Sequence, residues 1–356
     1  MFVLRDIADG DLDGLLAAAG HLDTVNLPED RAVLGPLIEL SQRSFSGAAE
    51  VFRRQYVFGL FDKSGGGERL IGTSMIHAQH GTRRAPHIFF DVIADERYSE
   101  SLDKHYVHRV LRMGYNYNGP TEIGGLVLLP EYRRHGAGLG RWLSYVRFLY
   151  IALHRSNFRD EVLSELLPPL ETDGTSLLWE SLGRHFTGMN YQEADRISQT
   201  NKEFIRALFP SEPFYTCLLP PDAQELIGVV GPETRGVEKM LRRIGFEYAN
   251  RIDPFDGGPH FIAKTDQITL VKGTRHATVS APADPADPTD PTEISATDPA
   301  WESASYGLVC VEAPAAPHFI ATGGRFRLEG ETVSLHPDVR QALGVSPGGV
   351  VGVLPF

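Results

Sequence analysis

Arg133, Gly136 and Gly138 stand in the pattern Arg-x-x-Gly-x-Gly, whose chemistry is anion binding at the backbone. Glycines let the chain pass close to a ligand, and the first N–H groups of a helix have no partner of their own. With the positive end of the helix dipole behind them, such groups cradle a pyrophosphate. Upstream, Glu122 is a carboxylate at the head of an apolar run, where burial would raise its pKa towards that of a general base. A solvated strand-end carboxylate, or one held in a salt bridge, is the other reading of Glu122.

Placing these residues takes a strand, a turn and a helix. Ile123–Leu129 is an apolar run of strand length, and Pro130 ends it. From Leu139 onward apolar residues fall at Trp142, Leu143, Val146 and Tyr150, a helical period that continues to about His154. Further strands are expected at Phe2–Ile7, Tyr56–Asp62, Arg69–His77 and Val162–Leu167, and helices from Asp11 and over Arg31–Arg43. A helix is expected at Tyr106–Met113, with His105 and His108 on or beside it. Ser176–Gly183 reads as a helix stopped by Gly183, with Phe186 opening the next strand. The helix–glycine–strand pattern of Val237–Tyr248 echoes that region and suggests a repeated half-domain over about a dozen residues. The fold class is therefore α+β, a mixed sheet flanked by helices.

Residues 275–303 differ in composition, and the Asp/Pro run Ala283–Pro291 offers neither backbone donors nor an apolar face. A linker is expected there. Beyond it, strands at Tyr306–Val311, Arg325–Leu328 and Val350–Leu354 and a helix around Val339–Leu343 would form a small β-rich module over 304–356.

With 356 residues, 22% charged and 42% hydrophobic, the chain has the composition of a soluble globular protein of two to three domains. A net charge of −12 argues against nucleic acid as partner and is compatible with a cationic substrate. The cysteines, Cys217 and Cys310, give no disulfide framework and fit a reducing cytoplasm. No export signal is visible at Met1–Asp6, and no apolar run approaches the ~20 residues that span a bilayer. His77, His80 and His87 lie close in sequence without a carboxylate or cysteine at ligand spacing, so surface or packing roles are expected and no metal.

The glycine loop with its strand and helix resembles the coenzyme A signature R/Q-x-x-G-x-G/A of the GNAT acyltransferases, and Leu4-Arg5-Asp6-Ile7-Ala8-Asp9-Gly10-Asp11-Leu12 is similar to the common opening of GNAT domains. The middle of the chain resembles the arginine N-succinyltransferase family. The matching strings are Leu178-Trp179-Glu180-Ser181-Leu182-Gly183, Phe204-Ile205, Pro213-Phe214-Tyr215 and Ala223-Gln224-Glu225-Leu226-Ile227-Gly228. They end at Ile252-Asp253-Pro254-Phe255-Asp256-Gly257-Gly258-Pro259.

This resemblance, from about Phe2 to Ile268, implies a GNAT-like fold, succinyl-CoA as acyl donor and the α-amine of arginine as acceptor. Coenzyme A would lie across Leu126, Val127 and Leu128 and along Arg133, Arg134, His135, Gly136, Ala137, Gly138, Leu139 and Gly140. Asp256, Gly257 and Gly258 would serve the substrate. Residues 1–190 would be the acyl-CoA-binding domain, and 191–274 a second half completing the acceptor site. A homo- or hetero-oligomer is expected. Many GNAT enzymes carry a thiolate-protonating tyrosine near Trp179, whose indole is instead expected to be a core aromatic. The family's Gly-Gln-Val-His-Pro string corresponds to Gly228-Val229-Val230-Gly231-Pro232, so a histidine implicated in proton transfer is replaced by Gly231.

Acyl transfer from a thioester needs a neutral amine, a polarised carbonyl and an acid for the thiolate. A backbone N–H on the central strand can polarise the carbonyl, and Glu122, at a position where some GNAT enzymes place a catalytic glutamate, is the candidate base. The alternative function is a catalytically weakened acyl-CoA-binding subunit or sensor.

Overall fold

The computed structural model describes residues 1–21, 27–83, 85–198, 201–280 and 299–356. Its strands in chain order begin with β1 (Phe2–Asp6), β2 (Gln55–Asp62), β3 (Arg69–His77), β4 (His87–Ser99) and β5 (Lys104–Asn116). They continue with β6 (Thr121–Leu128), β7 (Glu161–Glu165), β8 (Phe214–Tyr215), β9 (Glu247–Ile252) and β10 (Pro259–Lys264). The last are β11 (Arg275–Val279), β12 (Ser305–Glu312), β13 (Phe319–Glu329), β14 (Thr332–Leu335) and β15 (Val350–Pro355). The helices that matter most here are α1 (Leu12–Ala19), α2 (Arg31–Phe45) and α3 (Leu139–Leu153). This mixture of helices and strands is the expected α+β class.

The chain forms two compact units, one made of Met1–Ala78, Ile123–Phe158 and Asp266–Phe356, the other of Gln79–Glu122 and Arg159–Thr265. The boundaries expected at residues 190 and 274 do not coincide with these.

In the first unit, β1, β2, β3 and β6 are neighbours in that order. Leu15, Leu34, Ile38, Val57 and Val127 share an apolar core with α1 and α2. The Asp30 carboxylate caps α2 by accepting from the Ala32 N–H. Helix α3 is buried on more than the face its period displays: Tyr145, Phe148 and Ile151 are inside as well as Trp142, Leu143, Val146 and Tyr150. The C-terminal strands run β12–β15–β11–β14–β13, and β12 also pairs with β13, which closes the ring. Val309, Phe326, Val333 and Val353 fill it. Residues 304–356 are β-rich, but the ring needs Arg275–Val279, which the sequence placed in the linker. That segment is a strand because Ala277 and Val279 alternate inward with His276 and Thr278 outward. The Asp/Pro run Ala283–Pro291 lies outside the described residues.

In the second unit the order is β7–β10–β9–β4–β5–β8, and the first residues of β6 pair in parallel with β7 through Thr121–Val162 and Glu122–Leu163. Tyr106–Met113, expected to be helical, belongs to β5. It pairs with β4 over thirteen residues each, from His87 opposite Asn116 to Ser99 opposite Lys104. Cross-strand partners there override a helical period of only two turns. Phe186 likewise lies in a helix, Arg184–Thr187, and opens no strand. Gly183 keeps a helical conformation, and a Cβ on it would meet the Trp179 ring at 2.3 Å. It is glycine to admit that ring. Trp179 is a fully buried core residue, stacked on Phe255 at 4.9 Å with its indole N–H donating to Met189 O.

Candidate active site

Strand β6 ends at Leu128, and Pro130–Tyr132 turns the chain towards α3. Gly138 is the residue before the helix, with φ 70° and ψ 40°, a left-handed conformation that any side chain would strain. The Gly136 and Gly138 Cα atoms face open space, with nothing within 4 Å of where a Cβ would be. Among the described residues, no group accepts from the amides of Arg134, Gly136, Leu139 or Gly140. The loop thus offers a row of free N–H donors at the positive end of a fifteen-residue helix.

The side chains of this loop divide. Arg133 donates from Nε to Leu128 O at 3.0 Å and so braces the end of the strand. His135 packs on Phe2 at 4.9 Å and accepts the Ala137 N–H through Nδ1, a structural use of that ring. Arg134 is exposed. On β6, Val127 is buried while Leu126 and Leu128 are half-buried, so the strand offers alternate residues. Gly125, with φ 55°, breaks its regularity, and a Cβ there would strike Met75 Sδ at 2.6 Å.

The second unit holds a buried cluster of ionisable groups around Glu122. That residue is neither solvated at a strand end nor free: its carboxylate pairs with His80 Nδ1. Its side chain is 2% exposed, whereas that of His80 is 19% exposed, so His80 is the member of the pair that a substrate can reach. Burial works against protonation of His80, but Glu122 outweighs it and the imidazole pKa rises above its ordinary value.

Next to them lie His87 and His260, both buried, their rings stacked 5.3 Å apart, with His80 edge-on to His87 at 4.4 Å. Both direct Nε2 at Glu165 Oε1, at 3.2 Å and 3.4 Å. Burial and the nearby His80 pull His87 down to about 3, and burial lowers His260 as well. Burial opposes ionisation of Glu165, yet the imidazoles of His260, His87 and His80 hold it well below the usual carboxylate range. His87, expected in a surface or packing role, is packed among rings, and both it and His80 also stand beside carboxylates. Strands β4, β6, β7 and β10 bring them beside carboxylates far away in sequence. The donor atoms of His80, His87 and Glu165, and of Glu165, Asp253 and His260, lie within 4.8 Å of one another, ligand types that can also hold a metal.

Asp253 and Asp256 extend the cluster. Asp253 Oδ1 accepts from the amides of Phe255 and Asp256, and Asp256 Oδ1 accepts from Gly258 N at 2.7 Å. Burial, then Glu165, pushes Asp253 up to about 7, and burial with Asp253 raises Asp256 well above the usual range. Gly257 takes φ 81° to make this turn. A Cβ on Gly258 would meet Leu166 O at 2.4 Å, so the substrate-side glycines are set by backbone packing. Gly231 is set the same way: its N–H donates to Leu167 O, and a Cβ would lie 2.6 Å from Pro168 O. No side chain fits there in this backbone.

The two sets of residues carry different chemistry. The glycine loop offers free amide N–H groups, which suit an anion. The cluster gathers four carboxyl groups, Glu122 and Asp256 buried and Glu165 and Asp253 half-buried, beside one imidazole of raised pKa; Asp253 and Asp256 hold their protons more tightly than usual, and a cation would favour their release. His80, His87, Glu165 and His260 were missed because their spacing, from 80 to 260, carries no local pattern. The only signal was the grouping of histidines at 77, 80 and 87.

A family model described as the arginine N-succinyltransferase beta subunit matches residues 2–270. The arginine N-succinyltransferase of Enterobacter sp. (strain 638) is 32% identical over 283 residues, covering 79% of this chain and 81% of that protein. The arginine N-succinyltransferase subunit beta of Pseudomonas aeruginosa is 33% identical over 288 residues, 79% of this chain and 83% of its own. The solved structure of arginine/ornithine succinyltransferase subunit AI from Pseudomonas aeruginosa superposes with a TM-score of 0.79 at 27% identity, covering 100% of this chain and 98% of that one. The chain belongs to the arginine N-succinyltransferase family.

Proposed function

We propose that this protein is an N-acyltransferase that moves the succinyl group of succinyl-CoA to the α-amine of arginine. Family membership supports the reaction, and the printed names of the relatives supply the acyl group and the acceptor. The observation that carries the mechanism is the buried His80–Glu122 pair.

Coenzyme A lies with its pyrophosphate on the free amides of Arg134, Gly136, Leu139 and Gly140 and its pantetheine along Leu128 to Leu126. The cationic acceptor enters the carboxylate cluster of Glu165, Asp253 and Asp256. His80, held by Glu122, takes a proton from the α-ammonium, directly or through water. The amine nitrogen then forms its bond to the thioester carbon, the C–S bond breaks, and the second proton that the nitrogen loses passes to the departing thiolate, which leaves as the free thiol of coenzyme A. Glu122 acts here as the group that orients His80 and supports its charge, a change from the direct base expected of it. His80 supplies the proton acceptor that the chain lacks at Gly231.

The free Cys217 and Cys310 and the lack, among the described residues, of any helix long and apolar enough to cross a membrane support a cytoplasmic setting. A relative named as a subunit supports an oligomer. Mixing protein, arginine and succinyl-CoA and following succinylarginine by mass spectrometry tests the reading. Product with stoichiometric release of coenzyme A is expected. Binding of succinyl-CoA without transfer to any amine would instead favour the acyl-CoA-binding subunit.

A further inference from the structure

Arg147 sits inside the first unit, on the third turn of α3, with 2% of its surface exposed. Arginine is rarely buried unless a carboxylate balances it, because desolvating the cation costs several kcal/mol. Among the described residues no carboxylate pairs with Arg147. Its hydrogen bonds go to neutral oxygens: Nε to Ser144 O at 3.0 Å, Nη2 to Ser144 Oγ at 2.9 Å and Nη1 to Gly124 O at 3.5 Å. A guanidinium has five N–H donors, so two are left over and the longest of the three bonds is weak. Burial lowers its pKa to about 9, and among the described residues no charge offsets it.

The place where this cation arrives matters. Gly124 is half-buried and has no side chain to cover the guanidinium, and the next residue, Gly125, interrupts the strand with φ 55°. The glycine loop follows the C-terminal end of β6. A coenzyme anchored there by its pyrophosphate runs back along the strand, from Leu128 past Leu126. At about 3.3 Å per residue, Gly124 lies about 7 Å beyond Leu126 in that direction. A thioester placed in this way would direct its acyl group towards that end of the strand.

We infer that Arg147 is the binding subsite for the free carboxylate of the acyl donor, selecting a dicarboxylic monothioester over a simple acyl-CoA. The fork of two unused N–H donors matches a carboxylate, which supplies the charge the protein leaves out. The inference rests on the coenzyme placement proposed above and adds what reads the far end of the acyl chain.

Donor preference tests it, first as binding without arginine and then as kcat/KM with it. The wild type should bind succinyl-CoA more tightly than acetyl-CoA. Arg147→Met should reduce the affinity for succinyl-CoA by roughly 10-fold to 100-fold while changing that for acetyl-CoA little, as expected when one charge-assisted pair is lost. Arg147→Lys keeps the charge without the fork and should fall between, and it serves where the Met variant does not fold. A purely structural arginine would weaken both donors alike, and an unchanged preference in either folded variant overturns the assignment. If wild-type protein succinylates arginine while Arg147→Lys keeps the full preference, this inference fails and the activity stands. If no succinylarginine forms yet the binding preference collapses in the variants, the subsite stands and the activity reading fails.

Discussion

The His80–Glu122 pair yields the most demanding prediction. His80 can accept a proton only when neutral, so kcat/KM should rise with pH through the His80 pKa, which lies above the ordinary 6.5 because Glu122 outweighs burial. Replacing Glu122 with Gln removes the larger opposing charge and leaves burial opposed only by the weaker effect of Glu165. The pH limb should then move to lower pH, towards or below 6.5, while turnover at its plateau falls because the imidazole is worse oriented and less basic. His80→Gln removes the base outright. Loss of a general base costs about 10²- to 10⁴-fold, or about 2.7 to 5.5 kcal/mol of transition-state stabilisation. Since the two residues act as one unit, His80→Gln with Glu122→Gln should be little slower than His80→Gln alone. Thiol release read with a chromogenic disulfide serves as the assay, after the exposed Cys217 has been reacted or replaced. Succinyl-CoA affinity should hold in all three variants. A limb that stays in place in Glu122→Gln, or normal turnover in His80→Gln, refutes the pair as the proton acceptor.

Other consequences are as direct. Gly138→Val forces a β-branched residue to φ 70° and should weaken acyl-CoA binding at least tenfold with the fold intact by circular dichroism, as should Gly136→Pro through loss of a free amide. Gly231→His should not restore activity. With Pro168 O 2.6 Å from its Cβ, it should cost about 1 to 3 kcal/mol, read as a lower denaturant midpoint, and a more active variant would contradict the packing. Asp253, raised to about 7, must lose its proton to face a cation, so arginine affinity should climb as pH rises towards about 8, with proton release that calorimetry detects in buffers of different ionisation heat. Flat affinity without proton release would remove Asp253 from the acceptor site.

The glycine loop and its setting were legible because they are local. Strand, turn, glycines and helix lie within Thr121–Leu153, and each follows from period and residue type. The cluster of ionisable groups was not. His80 precedes β4, while Glu165 ends β7 and His260 lies in β10, and only the pairing of β7 with β10 brings the last two together. Glu122 could be singled out by its place on β6, but its pairing with His80, which comes from a distant part of the chain, could not. The β5 strand was lost to two turns of accidental helical period, and β11 was absorbed into a linker because its alternation covers only five residues. Arg147 hid inside a helical pattern that shows which residues are apolar and not which polar ones are buried with them.

One measurement bears most directly on the central claim. Wild-type protein with succinyl-CoA and arginine, analysed by mass spectrometry beside the His80→Gln variant, should give Nα-succinylarginine at least a hundredfold faster than the variant, consistent with the loss of a general base. Equal rates in the two proteins, or no product from wild type that still binds succinyl-CoA, would contradict it.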